Sequence, residues 1–120
     1  MNEVISSINI FENIKHIDEE GHEYWYAREL MIALEYKRWE KFVNVINNAV
    51  TACENSTFDV LDHFPQVGKM VGIGSKTQRE IKDYKLSRYA CYLIAQNGDS
   101  RKKVVALAQT YFAIQTRNLV

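Results

Sequence analysis

The sequence predicts an α+β fold: a small antiparallel sheet built from hairpins, packed with about four to five helices. Three observations point there. Stretches 14–26 and 66–84 each read as two short strands around a run of turn residues. Stretches 39–53 and 86–117 instead repeat apolar residues every three or four positions, the spacing of one buried helix face. The 120 residues are 47% hydrophobic and 25% charged, which suits one globular domain with a core of its own.

Val4, Ile8 and Phe11 fall on one side of a helix predicted over 3–13. Strands are expected over 14–18 and 23–26, with Glu19-Glu20-Gly21-His22 as the turn and Gly21 at positive φ. A short helix over 27–34 turns Leu30, Met31 and Leu34 inward, and Tyr36 to Arg38 break it. Trp39, Phe42, Val43, Ile46, Ala49, Val50 and Cys53 then mark the longest clean helix of the first half. The pair joined by Glu35-Tyr36-Lys37 has the length of a helix-turn-helix, a pattern that many helical cores share. Residues 55–62 are polar and read as a loop, and Pro65 is placed at a strand start, where its missing N–H costs little. Strands over 66–73 and 78–84 enclose Gly74-Ser75-Lys76-Thr77. Ser87 is the expected N-cap of a helix stopped at Asn97-Gly98, two residues that tolerate the left-handed conformation. Asp99 or Ser100 caps the closing helix, whose buried face is Val104, Leu107, Ala108, Tyr111, Phe112 and Gln115.

The balanced charge hides a split. Residues 1–62 hold 5 Lys/Arg against 12 Asp/Glu, a net of −7, and residues 63–120 hold 10 against 3, a net of +7. Such asymmetry suits a polyanion-facing surface. The second hairpin carries Lys69, Lys76, Arg79, Lys82 and Lys85. A two-stranded ribbon fits a major groove, and its lysines meet phosphates. Gly72, Gly74 and Ser75 would let backbone N–H groups come close to a phosphate. The alternative is a solvated hairpin whose charges keep the sheet edge from pairing. Arg101-Lys102-Lys103 is the second basic cluster, set at a helix start where the macrodipole disfavours cations. Lys37, Arg38 and Lys41 form a third, partly neutralised by Glu35 and Glu40. Most of the aromatic residues fall at core spacing; Tyr84, between Lys82 and Lys85, is the one expected outside the core.

The wording of 86–117, LSRYACYLIAQNGDSRKKVVALAQTYFAIQTR, resembles the DNA damage-inducible protein D family of bacteria, whose N-terminal part is similar to the Bro-N domain. The resemblance continues through Tyr26-Ala27-Arg28-Glu29-Leu30, Ala52-Cys53-Glu54-Asn55-Ser56, Asp62-His63-Phe64 and Met70-Val71-Gly72-Ile73-Gly74-Ser75, so it covers nearly the whole chain. It implies a single Bro-N-like domain over 1–120, DNA as the partner, and a place in the DNA-damage (SOS) response. Family members look longer, so the chain reads as a short member or as the N-terminal domain of a longer protein.

No enzyme is expected. His16, His22 and His63 are widely spaced, without a metal-ligand pattern, and Gly72-Ile73-Gly74-Ser75-Lys76 lacks the spacing of a phosphate-binding loop. Asp59, Asp62 and His63 lack the second carboxylate group that a metal-dependent nuclease needs. Cys53 and Cys91 read as buried free thiols. No catalytic residue, metal or cofactor is therefore expected. No run is apolar enough for a membrane span, and the cytoplasm is the default location. Recombination or repair proteins are the alternative partners, with Asp18, Glu19, Glu20 and Glu23 as the surface that would meet them. The apolar side of the closing helix is also compatible with a homodimer.

Overall fold

A computed structural model describes residues 10–117, with side chains through residue 113. Among these residues there are six helices and four strands. Helix α1 (residues 10–13) leads into β1 (His16–Ile17) and β2 (Glu23–Tyr26). Helices α2 (Ala27–Ala33), α3 (Trp39–Asn55) and α4 (Val60–His63) follow. Then come β3 (Gln66–Gly72), β4 (Gln78–Leu86), α5 (Arg88–Gln96) and α6 (Lys103–Arg117). The sheet is antiparallel throughout, in the order β1-β2-β4-β3. The expected fold class is the observed one. The helix predicted over 3–13 lies outside the described residues for all but its last four.

The two hairpins are one sheet, because β4 runs past Tyr84 and pairs Lys85 with Tyr26 and Leu86 with Trp25. The β1–β2 turn has Gly21 at φ 86°, as its position required. Residues 55–62, expected to be a loop, contain one helical turn instead. The Asp59 carboxylate accepts the Leu61 N–H at 2.9 Å and starts α4.

Ser87 caps α5 as expected, its Oγ accepting the Ala90 N–H at 3.0 Å. The other end differs from expectation. Asn97 sits at φ −95°, and its side chain donates to the Leu93 carbonyl at 2.9 Å, so no left-handed residue closes the helix. Gly98 is needed for space instead. A Cβ there would lie 2.9 Å from Val105 and 3.2 Å from the Tyr36 hydroxyl, and its absence lets α6 close on α5. Helix α6 starts only at Lys103, after a turn in which Asp99 accepts the Arg101 N–H at 3.0 Å.

Trp25 is at the centre of the core. It is fully buried, meets Phe112 edge-on at 5.3 Å, and donates its indole N–H to the Phe11 carbonyl at 2.9 Å. Phe42, Ile46, Ala49 and Cys53 of α3 fill the next layer, on the predicted stripe. Arg88 is buried under the Trp25 and Tyr111 rings and is paired with Glu23, its Nη2 2.9 Å from Oε1.

Candidate nucleic-acid interface

The register of β3 and β4 decides where the hairpin cations point. Opposed residues share a face, so Val67, Lys69 and Val71 lie with Asp83, Ile81 and Arg79 on one side of the ribbon. Gly68, Met70, Lys82 and Glu80 lie on the other. Nearer the body the first side carries His16, Tyr24, Tyr26 and Lys85, all half-buried, and the second carries the buried Trp25, Tyr84 and Leu86. The first is therefore the outer face and the second the core face.

From residue 66 to residue 82 nothing is buried. The outer part of the ribbon is an arm, solvated on both sides. Lys69 and Arg79 are on its outer face, Lys76 is in the 73–77 connection, and Lys85 is at the root beside them. None of Lys69, Lys76, Arg79 and Lys85 forms an ion pair among the described residues. Lys69, Arg79 and Lys85 thus share the outer face, with Lys76 at the tip of the arm and the buried Asp83 between Arg79 and Lys85. Lys82 is on the other face with Glu80, whose side chain lies where a Gly68 Cβ would sit, and its ammonium is 5.6 Å from the Tyr84 ring centre.

Tyr84 corrects the sequence reading. It is 5% exposed and belongs to the core, with its ring 6.4 Å from Trp39. It stands at the foot of the arm, where its ring faces Trp39 at the start of α3, so flanking lysines did not signal exposure. The second basic cluster is engaged locally. Arg101 forms a two-bond pair with Asp99 at 3.0 Å, and the Lys102 ammonium is 4.0 Å from the Tyr36 ring centre and 3.3 Å from the Glu35 carbonyl. Its contacts place it beside the α2–α3 connection. Lys103 is exposed at the first position of α6.

With this geometry in view, the comparisons with known proteins are specific. The N-terminal domain of the BRO family matches residues 13–113. The chain belongs to that family. It is also 52% identical over 107 residues to DNA damage-inducible protein D of Escherichia coli (strain K12), an alignment covering 89% of this chain and 39% of that protein. The chain therefore spans well under half the length of that relative. No solved structure matches it.

This BRO-family domain has two features the sequence did not disclose. The first is an aromatic cluster on the outer face. His16 stacks on Tyr24 at 5.4 Å and meets Tyr26 edge-on at 4.9 Å, and Lys85 lies 5.0 Å from the Tyr24 ring centre. Alternation in 14–26 could have placed these rings on one face, but only the β2–β4 pairing brings Lys85 to them. The second is Arg28. Strand β2 leaves the sheet at Tyr26, and Arg28 covers the freed edge of β4 by donating Nε to the Lys82 carbonyl at 2.8 Å. Its own N–H goes to the Asp83 carboxylate at 3.0 Å, so a residue 55 positions away caps α2.

Among the described residues no group of His, Cys, Asp and Glu is arranged to hold a metal ion. Burial raises both cysteine thiols above their ordinary range, Cys91 most, which keeps them from being ready thiolates. No described helix is long and apolar enough to cross a membrane.

Proposed function

We propose that this domain binds DNA without reacting with it, and that it does so in a bacterial DNA-damage (SOS) response. The observation that supports this reading most is the set of cations without an ion pair among the described residues, Lys69, Lys76 and Arg79 on a solvated two-stranded arm and Lys85 at its root. Like charges gathered on one exposed surface sum to a positive field that attracts a polyanion. A ribbon of this width enters a major groove, where lysines and arginines reach phosphates on either side. The family membership and the name of the Escherichia coli relative support the biological setting. Arg101, Lys102 and Lys103 are secondary phosphate contacts in this reading, because Arg101 must loosen its Asp99 pair to take part.

Titration of labelled DNA at two salt concentrations tests it. Neutralising Lys76, Arg79 and Lys82 together should weaken binding and reduce the salt slope by about 2 to 3, since each neutralised phosphate contributes roughly 0.7–0.9. Unchanged binding in that variant would remove the arm from the mechanism.

A second reading has its own observation. Glu19 and Glu20 are exposed at the β1–β2 turn, which suits a basic protein partner among recombination or repair proteins. Association with such a protein that survives nuclease treatment and is lost on Glu19→Gln/Glu20→Gln would favour it over direct DNA binding.

A further inference from the structure

The outer face ends at its root in an open cleft of about 690 Å³. We propose that this cleft takes one unpaired nucleobase from a single strand whose backbone follows the arm. The proposal rests on the DNA-binding reading above and adds a site to it.

Size and lining both fit. Cavities that hold small organic ligands span about 300–1,000 Å³ and are mostly apolar with a few polar groups. The sheet supplies Tyr24 and Lys85 to the cleft, the α4–β3 connection supplies His63 and Pro65, and α5 supplies Tyr89. Tyr89 and His63 meet edge-on at 5.0 Å, and Phe58 packs against Tyr89 at 4.8 Å. Several aromatic faces therefore converge on one opening, and flat bases stack on such faces whatever their sequence.

Charge selects the kind of ligand. Asp18, Glu23 and Asp62 also line the cleft; Arg88 offsets Glu23, and the carboxylates of Asp18 and Asp62 disfavour a free phosphate or a dianion in its interior. A neutral ring is not disfavoured. Of the two cations that line the cleft, Arg88 is buried and paired with Glu23, and Lys85 has no ion pair among the described residues; Lys85 also lies on the outer face level with Tyr26 and beyond Lys69 and Arg79. A phosphate held at Lys85 leaves its sugar and base at the mouth, with the preceding phosphates directed toward Lys69 and Arg79. A duplex keeps its bases stacked and paired, so the cleft favours a single strand.

His63 is set up for a neutral partner. Its Nδ1 is 2.6 Å from the Ser87 Oγ, which already accepts the Ala90 N–H. The serine hydroxyl keeps both a hydrogen to donate and a second lone pair, so the tautomer sets the direction of this bond; in the tautomer that accepts at Nδ1, the ring proton of neutral His63 sits on Nε2 as a donor. Burial pushes this imidazole below its ordinary pKa, against the opposing pull of Asp62 and Asp59, so the neutral form is the one present at pH 7.

The test compares a short labelled oligothymidylate with an abasic oligonucleotide of equal length, hence equal phosphate count. The unaltered domain should bind the base-bearing strand about tenfold more tightly. Tyr89→Ala should reduce that preference to within about twofold and leave the abasic affinity unchanged. Tyr24→Leu, at a half-buried outer-face position, should do the same if Tyr89→Ala does not fold. Equal, salt-sensitive binding of both strands by the unaltered domain would overturn the cleft and leave the arm's role standing. A preference retained in both variants would overturn it too. Binding of neither strand would remove the DNA reading and the cleft with it.

Discussion

Strand β4 is two regions in one element. Its inner part, Asp83 to Leu86, lies against the body, with Asp83 and Leu86 fully buried and Tyr84 nearly so. Its outer part, Gln78 to Lys82, has no buried residue and carries Arg79 and Lys82. The ladder with β3 runs from the outer part through Tyr84, and Lys85 and Leu86 pair with β2. The difference lies in what faces the side chains: helices, Trp25 and the Arg28 amide at one end, water at the other. The buried charge of the inner part is structural, because Asp83 accepts the Arg28 and Tyr84 N–H groups at 3.0 and 2.8 Å. On the outer face of the arm, Arg79 and its neighbour Lys69 form no ion pair among the described residues, which is why we assign them to a ligand.

If the inner region is the foundation, changes there should cost stability first. Trp25→Ala removes the central ring and should destabilise by about 3–5 kcal/mol, measured by urea unfolding. Asp83→Ala leaves two N–H groups without their acceptor and should cost roughly 2–3 kcal/mol by the same measurement. A loss under about 0.5 kcal/mol would mean that water replaces the carboxylate at α2 without penalty. In the outer region the sign of the comparison reverses. Lys69→Gln/Arg79→Gln should leave stability within about 0.5 kcal/mol. The same pair should lower DNA affinity about tenfold at low salt, read by fluorescence anisotropy. Lys82→Gln, on the face that Glu80 shares, should weaken binding by a smaller factor, and equality of the two would show that both faces of the arm are used.

The smallest effect is one of pH. Burial lowers the His63 pKa in the folded state below the unfolded value near 6.5. The unfolded chain therefore binds more protons in that window, and stability should fall as pH drops through 6.5 toward the folded pKa. His63→Phe should flatten this part of the curve in urea unfolding between pH 7 and 5. An unchanged slope would assign the pH dependence to other groups.

How far the sequence reached follows the same division. The helix faces were legible because periodicity reports burial directly, as Phe42, Ile46, Ala49 and Cys53 illustrate. So was the basic hairpin, because turn residues and lysines are local signals. The pairing of β2 with β4 was not, since Tyr26 and Lys85 are 59 positions apart and nothing local records their register. That missing register explains the other errors. Without it Tyr84 was the aromatic least readily placed in the core, Tyr24 and Tyr26 stayed among the packing residues, and both Arg28 and the cleft below Lys85 were hidden. The α4 turn was missed for a different reason: four residues are too few for a helical period to appear, and only the Asp59 cap marks it.

The central claim is that the outer-face cations are the DNA contact. Its most direct test is an anisotropy titration of the unaltered domain and Lys69→Gln/Arg79→Gln against the same labelled DNA at two salt concentrations. The expected result is weaker binding in the variant with a salt slope lower by about 2, and a folded state equally stable in both. Identical curves for the two proteins would contradict the account, and the positive half of the chain would then serve to balance the acidic half within the molecule.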